Sequence, residues 1–146
     1  MKKSIFSMLL IAVAIMSSAN AFAGEHPAYL KALADLRAAR WLIDHRPAKD
    51  WVQSKEEAAA VREIDAAIKE IKGAAIDDHK DINDHVGAQE VNERVGRLRA
   101  AIELLRKTRA DIAQREDDKF AQGLRNRAFV HVDEAIRSLE RAIAAR

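Results

Sequence analysis

After residue 26, apolar residues recur at alternating steps of three and four, and that spacing predicts four helices. The first runs from Pro27 to about His45. Pro27 suits the first helical position, where a missing N–H costs nothing, and Arg46-Pro47-Ala48-Lys49-Asp50 breaks the pattern. The second begins after Ser54, because Ser54-Lys55-Glu56-Glu57 reads as a capping box in which hydroxyl and carboxylate each satisfy an orphan N–H. Its apolar positions are Val61, Ile64, Ile68, Ile71 and Ala75, and it ends near Ile76. The polar run from Asp77 to Gly87 is a loop. A third helix, from about Ala88 to Arg115, carries Val91, Val95, Leu98, Ile102, Leu105 and Ile112 on one seam, with Arg109 where an apolar residue would sit. Asp117 or Asp118 can cap the fourth, whose seam is Phe129, Val132, Ile136, Leu139 and Ile143.

Each stripe is one-sided, so no helix can bury itself alone. Short connections favour antiparallel neighbours, and the expected fold is all-α, an antiparallel up-down-up-down four-helix bundle over residues 24–146. The helices also repeat. Leu36-Arg37-Ala38-Ala39-Arg40 resembles Leu105-Arg106-Lys107-Thr108-Arg109, and Ile64-Asp65-Ala66-Ala67-Ile68 resembles Val132-Asp133-Glu134-Ala135-Ile136. The offsets are 69 and 68 positions. Two readings stand: a duplicated helical hairpin, or chance likeness among helices built from Leu, Ala, Arg and Glu.

Residues 1–23 read as an export signal. Lys2 and Lys3 are followed by an apolar stretch from Ile5 to Met16, then by the small-x-small site Ala21-Phe22-Ala23. The stretch is about a dozen residues, whereas a spanning helix needs roughly 20, so no stable membrane anchor is expected after processing. Ala19-Asn20-Ala21 is an alternative cleavage site. The expected location is the periplasm or the medium. Processing also changes the charge. The chain carries 25 Lys+Arg and 23 Asp+Glu, and loss of Lys2 and Lys3 brings the two counts level. A neutral exported protein is a poor nucleic-acid ligand, and none is expected as a partner. There is no cysteine, and Met1, Met8 and Met16 all lie in the leader. Disulfides, thiolate zinc sites, covalent c-type haem and Met-ligated haem are therefore outside the mature protein's chemistry.

Candidate chemistry is sparse. Arg37, Arg40, Arg106 and Arg109 lie on or beside core seams, and Asp65 and Asp133 lie next to core residues. A buried guanidinium needs a bidentate carboxylate, so a pairing between these sets is expected, either buried or with the arginine stems lying along the core edge and their heads in water. If cleavage follows Ala23, the new terminus Gly24-Glu25-His26 supplies an amine, two amides and an imidazole, a square-planar nitrogen set for Cu or Ni. The loop residues Asp77, Asp78, His79, Asp81, Asp84 and His85 form a second candidate metal set. A calcium loop is excluded because Val86 stands where its glycine belongs. His131 and Glu134 reverse the Glu-x-x-His order of di-iron bundles, so His131 is read as a helix-face or core-edge residue. Gly73, Gly96 and Gly123 sit inside helices and mark possible close approaches. Trp41 and Trp51 flank the first connection and close one end of the bundle or line a pocket there.

The stretches HPAYLKALADLRAARW, EIDAAIKEIKGAAIDDHKDINDH, RVGRLRAAIELLRKTRADI and GLRNRAFVHVDEAI resemble a family of small exported bacterial proteins without an assigned activity. The resemblance covers nearly all of the mature chain and implies a helical bundle and export. The scaffold is also similar to periplasmic cytochrome bundles, whose ligands are missing, and to periplasmic stress chaperones, whose Leu-Thr-x-x-Gln repeats are absent. No serine nucleophile set and no phosphate loop is visible. The expected function is a non-enzymatic binding or interaction module for a protein or small-molecule partner, in envelope maintenance or stress. The alternative is a divalent-metal (Cu/Ni) binder, and a small hydrolase or lyase has least support.

Overall fold

The computed structural model describes residues 27–46, 51–77, 93–113 and 118–145. They form four helices, α1 (Pro27–Asp44), α2 (Lys55–Asp77), α3 (Arg94–Ile112) and α4 (Lys119–Ala144), with no strand among the described residues. None of these helices is long and apolar enough to cross a membrane. Residues 1–23, read from the sequence as an export signal, and the candidate metal positions outside α2 fall beyond the described residues.

Local chemistry sets the helix ends. At α2 the Ser54 N–H donates to Glu57 Oε2 at 2.7 Å, and the Glu57 N–H donates to Ser54 Oγ at 3.1 Å, so the expected capping box is present. At α4 Asp118 is the cap, its Oδ1 accepting from the Ala121 N–H at 2.8 Å. Helix α3 is shorter than the apolar spacing predicts. Glu93 is extended (φ −86°, ψ 134°), so the helix begins at Arg94 and not at Ala88. After Ile112 it tightens, with the Ala113 N–H bonded to the Ala110 carbonyl at 3.3 Å, an i→i+3 closure that ends it before Arg115.

Helix α1 packs on α2 and α3, and α4 packs on α2 and α3. The α2–α4 contact is the most extensive, and its composition was only half visible in the apolar pattern. Val132 and Leu139 are fully buried as expected, but Phe129, Ile136 and Ile143 only flank the core. Both helices bury alanine at every seventh position: Ala60, Ala67 and Ala74 in α2, and Ala121, Ala128, Ala135 and Ala142 in α4. Ile64, Ile71, Val132 and Leu139 are fully buried beside them and fill the same core. Gly73 belongs to the same interface: a Cβ there would stand 3.2 Å from Leu124 Cδ1. Gly123 marks no such approach, since the atom nearest its Cβ position belongs to Arg127 of its own helix.

The repeat extends to burial. Ala32, Leu36, Ala39 and Ile43 of α1 correspond, 69 positions on, to Ala101, Leu105, Thr108 and Ile112 of α3, and all eight are buried. The α2 residues Ala60, Ile64, Ala67, Ile71 and Ala74 correspond, 68 positions on, to the α4 residues Ala128, Val132, Ala135, Leu139 and Ala142, all of them fully or nearly fully buried.

Candidate functional site at the tryptophan end

The last turn of α1 leaves carbonyls without intrahelical donors, as every helix end does. Here a buried arginine from another helix supplies one. Arg97, in the second turn of α3, is 1% exposed. Its Nε donates to the Leu42 carbonyl at 2.8 Å, and Nη2 lies 3.5 Å from the Trp41 carbonyl. The Trp41 carbonyl also accepts from the His45 N–H at 2.8 Å. A cation at a helix C-terminus is favoured by the helix dipole, which helps offset the cost of burying the guanidinium.

The same guanidinium lies between aromatic rings. Its Cζ is 4.9 Å from the Trp41 ring centroid and 5.8 Å from that of Trp51. Trp51 also receives Arg94, at 5.7 Å. On the outer side His45 stacks on Trp41, with centroids 4.5 Å apart and planes at 11°. The end of the bundle is thus a run of flat groups, His45, Trp41, Arg97, Trp51 and Arg94, in which guanidinium and π faces are in contact. Arg94 Nε then donates to Glu57 Oε1 at 2.9 Å. Glu57 is fully buried and spends its other oxygen on the capping box, so both carboxylate oxygens are bonded. That hydrogen bond, with the charge of Glu57 behind it, raises the Arg94 pKa above the ordinary arginine value. Trp51 Nε1 and Gln53 Nε2 are buried and have no hydrogen-bond partner among the described residues.

Outside the run, a cleft of about 460 Å³ is lined by Arg37, Arg40, Trp41, Asp44 and His45, successive outward positions of the last two turns of α1. Arg40 crosses it, its Nε donating to Asp65 Oδ1 at 2.7 Å and its Nη1 to Asp44 Oδ2 at 3.1 Å. These partners, Asp65 first, raise its pKa. The cleft thus offers a flat indole–imidazole wall beside two guanidiniums and one carboxylate.

Both aspartates expected to pair with seam arginines do so. Arg40 meets Asp65, and Arg109 Nε donates to Asp133 Oδ1 at 2.8 Å. The buried version of that expectation is overturned: the side chains are 39% and 50% exposed in the first pair and 52% and 33% in the second. Arg109 lays its guanidinium over Phe129 at 5.4 Å and keeps it in water, which is snorkelling from the core edge. Arg106 pairs instead with Glu103 and Glu140.

His131 is the core-edge residue anticipated, its Nδ1 2.8 Å from Glu63 Oε2. Glu134 is engaged by Arg137 at 2.6 Å, which lowers its pKa. Among the described residues no three His, Cys, Asp or Glu side chains are grouped to hold a metal ion. Gly24, His26, Asp78, His79, Asp81, Asp84 and His85 lie outside the described residues, and Asp77 is the last residue of α2. Arg97 was missed by the apolar pattern, and Glu57 was expected only as half of the capping box, not as the partner of Arg94. The available signal was that Arg97 precedes Ala101 and Thr108, two small buried residues of α3, at steps of four and seven.

No protein-family model, curated protein or solved structure matches this chain.

Proposed function

We propose that the processed chain is an exported, non-enzymatic helical module that binds its partner at the tryptophan end. The cleft on α1 carries this reading. Its volume lies within the range of small-ligand pockets, roughly 300–1,000 Å³, and one aromatic wall with a few charged groups suits a ligand that has a flat apolar part and a charge. Trp41 and Trp51 are the only tryptophans and report on the site directly. Titrating the processed protein with benzoate and naphthoate as probes should quench or shift their fluorescence, and His45→Ala, an exposed change in the wall, should weaken the response. An unaltered spectrum at millimolar probe, together with unshifted backbone amides of α1 by NMR, would overturn the reading. Cu(II) belongs in the same series, since a visible d–d band would move the binding function to the Gly24-Glu25-His26 terminus.

The scaffold behind this site is read as an antiparallel bundle in which α1 and α4 run one way and α2 and α3 the other. That order differs from the strict alternation expected from short connections. Cross-helix pairs support it. Between α1 and α3, Lys31 meets Asp111, Asp35 meets Lys107 and Leu42 meets Arg97, so rising numbers face falling ones. Between α2 and α4, Glu63 meets His131, Glu70 meets Arg127 and Gly73 meets Leu124. Arg94 and Glu57, each in the first turn of its helix, meet at the tryptophan end, as two helices of the same direction would. In this arrangement the end of α2 and the start of α3 lie at opposite ends of the bundle.

A further inference from the structure

We infer that the bundle is a fused dimer of one helical hairpin, and that its internal interface also accepts the corresponding hairpin of a second copy of this chain. The inference rests on the helix directions proposed above. Its first support is the ion pairs within each hairpin. Arg40–Asp65 joins α1 to α2 and Arg109–Asp133 joins α3 to α4, Nε to Oδ1 in both, at 2.7 and 2.8 Å. Its second support is where the repeat maps onto itself. With the α2-to-α4 offset of 68, Glu63 and His131 are each other's equivalents, and they are also in contact, at 2.8 Å. A pair exchanged with itself lies on a twofold axis. The two hairpins are therefore related like subunits of an isologous dimer, in which each partner presents the same patch.

Such an interface does not discriminate between a hairpin of its own chain and one of a neighbour. The Lys31–Asp111 and Arg127–Glu70 pairs form equally well when α1–α2 comes from one copy and α3–α4 from another. The 15 residues between the described ends of the hairpins reach about 50 Å when extended, at roughly 3.3–3.6 Å each. That exceeds the roughly 30 Å covered by 20 helical residues, and suffices to join two bundles. Exchange of identical elements is a low-cost route to dimers, and here every contact across the interface is kept.

The absence of cysteine makes the test direct. One chain carries Lys31→Cys and a second, mass-tagged chain carries Asp111→Cys. They are unfolded together, refolded at micromolar or millimolar concentration, and treated with a short bismaleimide. Exchange predicts a tagged–untagged covalent dimer, its fraction rising roughly tenfold for each tenfold rise in concentration while it remains the minor species. Replacing Asp111→Cys by Val52→Cys, an exposed position on the segment before α2, should give none. No covalent dimer at any concentration would overturn the inference. The double variant in one chain keeps the two failures apart. If it fails to crosslink internally, the helix pairing is wrong. If it crosslinks internally while the mixture yields no dimer, only exchange is wrong. The unmodified protein provides a check free of substitutions: after refolding at millimolar concentration, light scattering should find a dimer fraction, and a purely monomeric sample would also count against exchange.

Discussion

Arg97 and the pair Arg40 and Arg109 present the same side chain on the same kind of helix, and differ in what meets the guanidinium. Arg40 and Arg109 reach sideways to an aspartate on the neighbouring helix and remain substantially exposed. Arg97 is buried at the tryptophan end, where it meets a backbone carbonyl and two indole faces. A helix C-terminus carries partial negative charge on carbonyls that need donors, and it helps to hold a buried cation. The sideways pairs recur between α1 and α2 and between α3 and α4, whereas α1 has no equivalent of the end contact, because the position corresponding to Arg97 is Ala28.

The comparison can be broken most sharply at Arg97. Its replacement by alanine opens a cavity and strands the Leu42 carbonyl, and should cost about 3 kcal/mol. Urea denaturation measures it, and an unchanged midpoint would remove the capping role. Glu57→Ala comes next, at about 2 kcal/mol, because it removes half of the capping box and the partner of Arg94 together. Glu57→Gln retains an oxygen for the cap and should lose about half as much, so equal losses would show that charge carries the whole effect.

Arg40→Ala and Arg109→Ala should each cost no more than about 1 kcal/mol, add to one another, and lose their effect in high salt. A loss above about 2 kcal/mol from either would place it with Arg97, since exposed pairs do not reach that size. The smallest effect concerns Lys107, held by Asp35 at 3.0 Å. The hydrogen bond to Asp35, then the charges of Asp35 and Asp111, raise the Lys107 pKa. A raised lysine contributes stability that is complete below its unfolded value and lost as pH rises through the folded one. The stability difference between the wild type and Lys107→Met should therefore be flat near neutrality and shrink on the alkaline side. A difference that instead shrinks between neutral pH and weak acid would assign the effect to another group.

Part of the candidate site was legible before the fold. Trp41 and Trp51 flank the first connection, and either closing or lining one end was expected of them. The Arg40–Asp65 and Arg109–Asp133 pairings could be read from the repeat, since both partners recur at nearly the same offset. Burial could not be read, because Arg40, Arg97 and Arg109 all sit beside apolar residues in sequence. The alanine seam was overlooked for a related reason. Alanine is a strong helix former on any face, so its heptad spacing does not stand out until another helix lies against it.

The amino-acid sequence by itself determined the four helices and the start of two of them. Those features depend on residues within one or two turns: the three- and four-residue apolar spacing, the Ser54–Glu57 box and the Asp118 cap. The tertiary structure alone decided which helices are neighbours, that the alanines of α2 and α4 belong to the core, and that Arg97 is the buried arginine among the described residues. Each of these depends on atoms from distant parts of the chain. The Leu42 carbonyl lies 55 positions before Arg97, and no local pattern records that a helix end will arrive there in need of a donor.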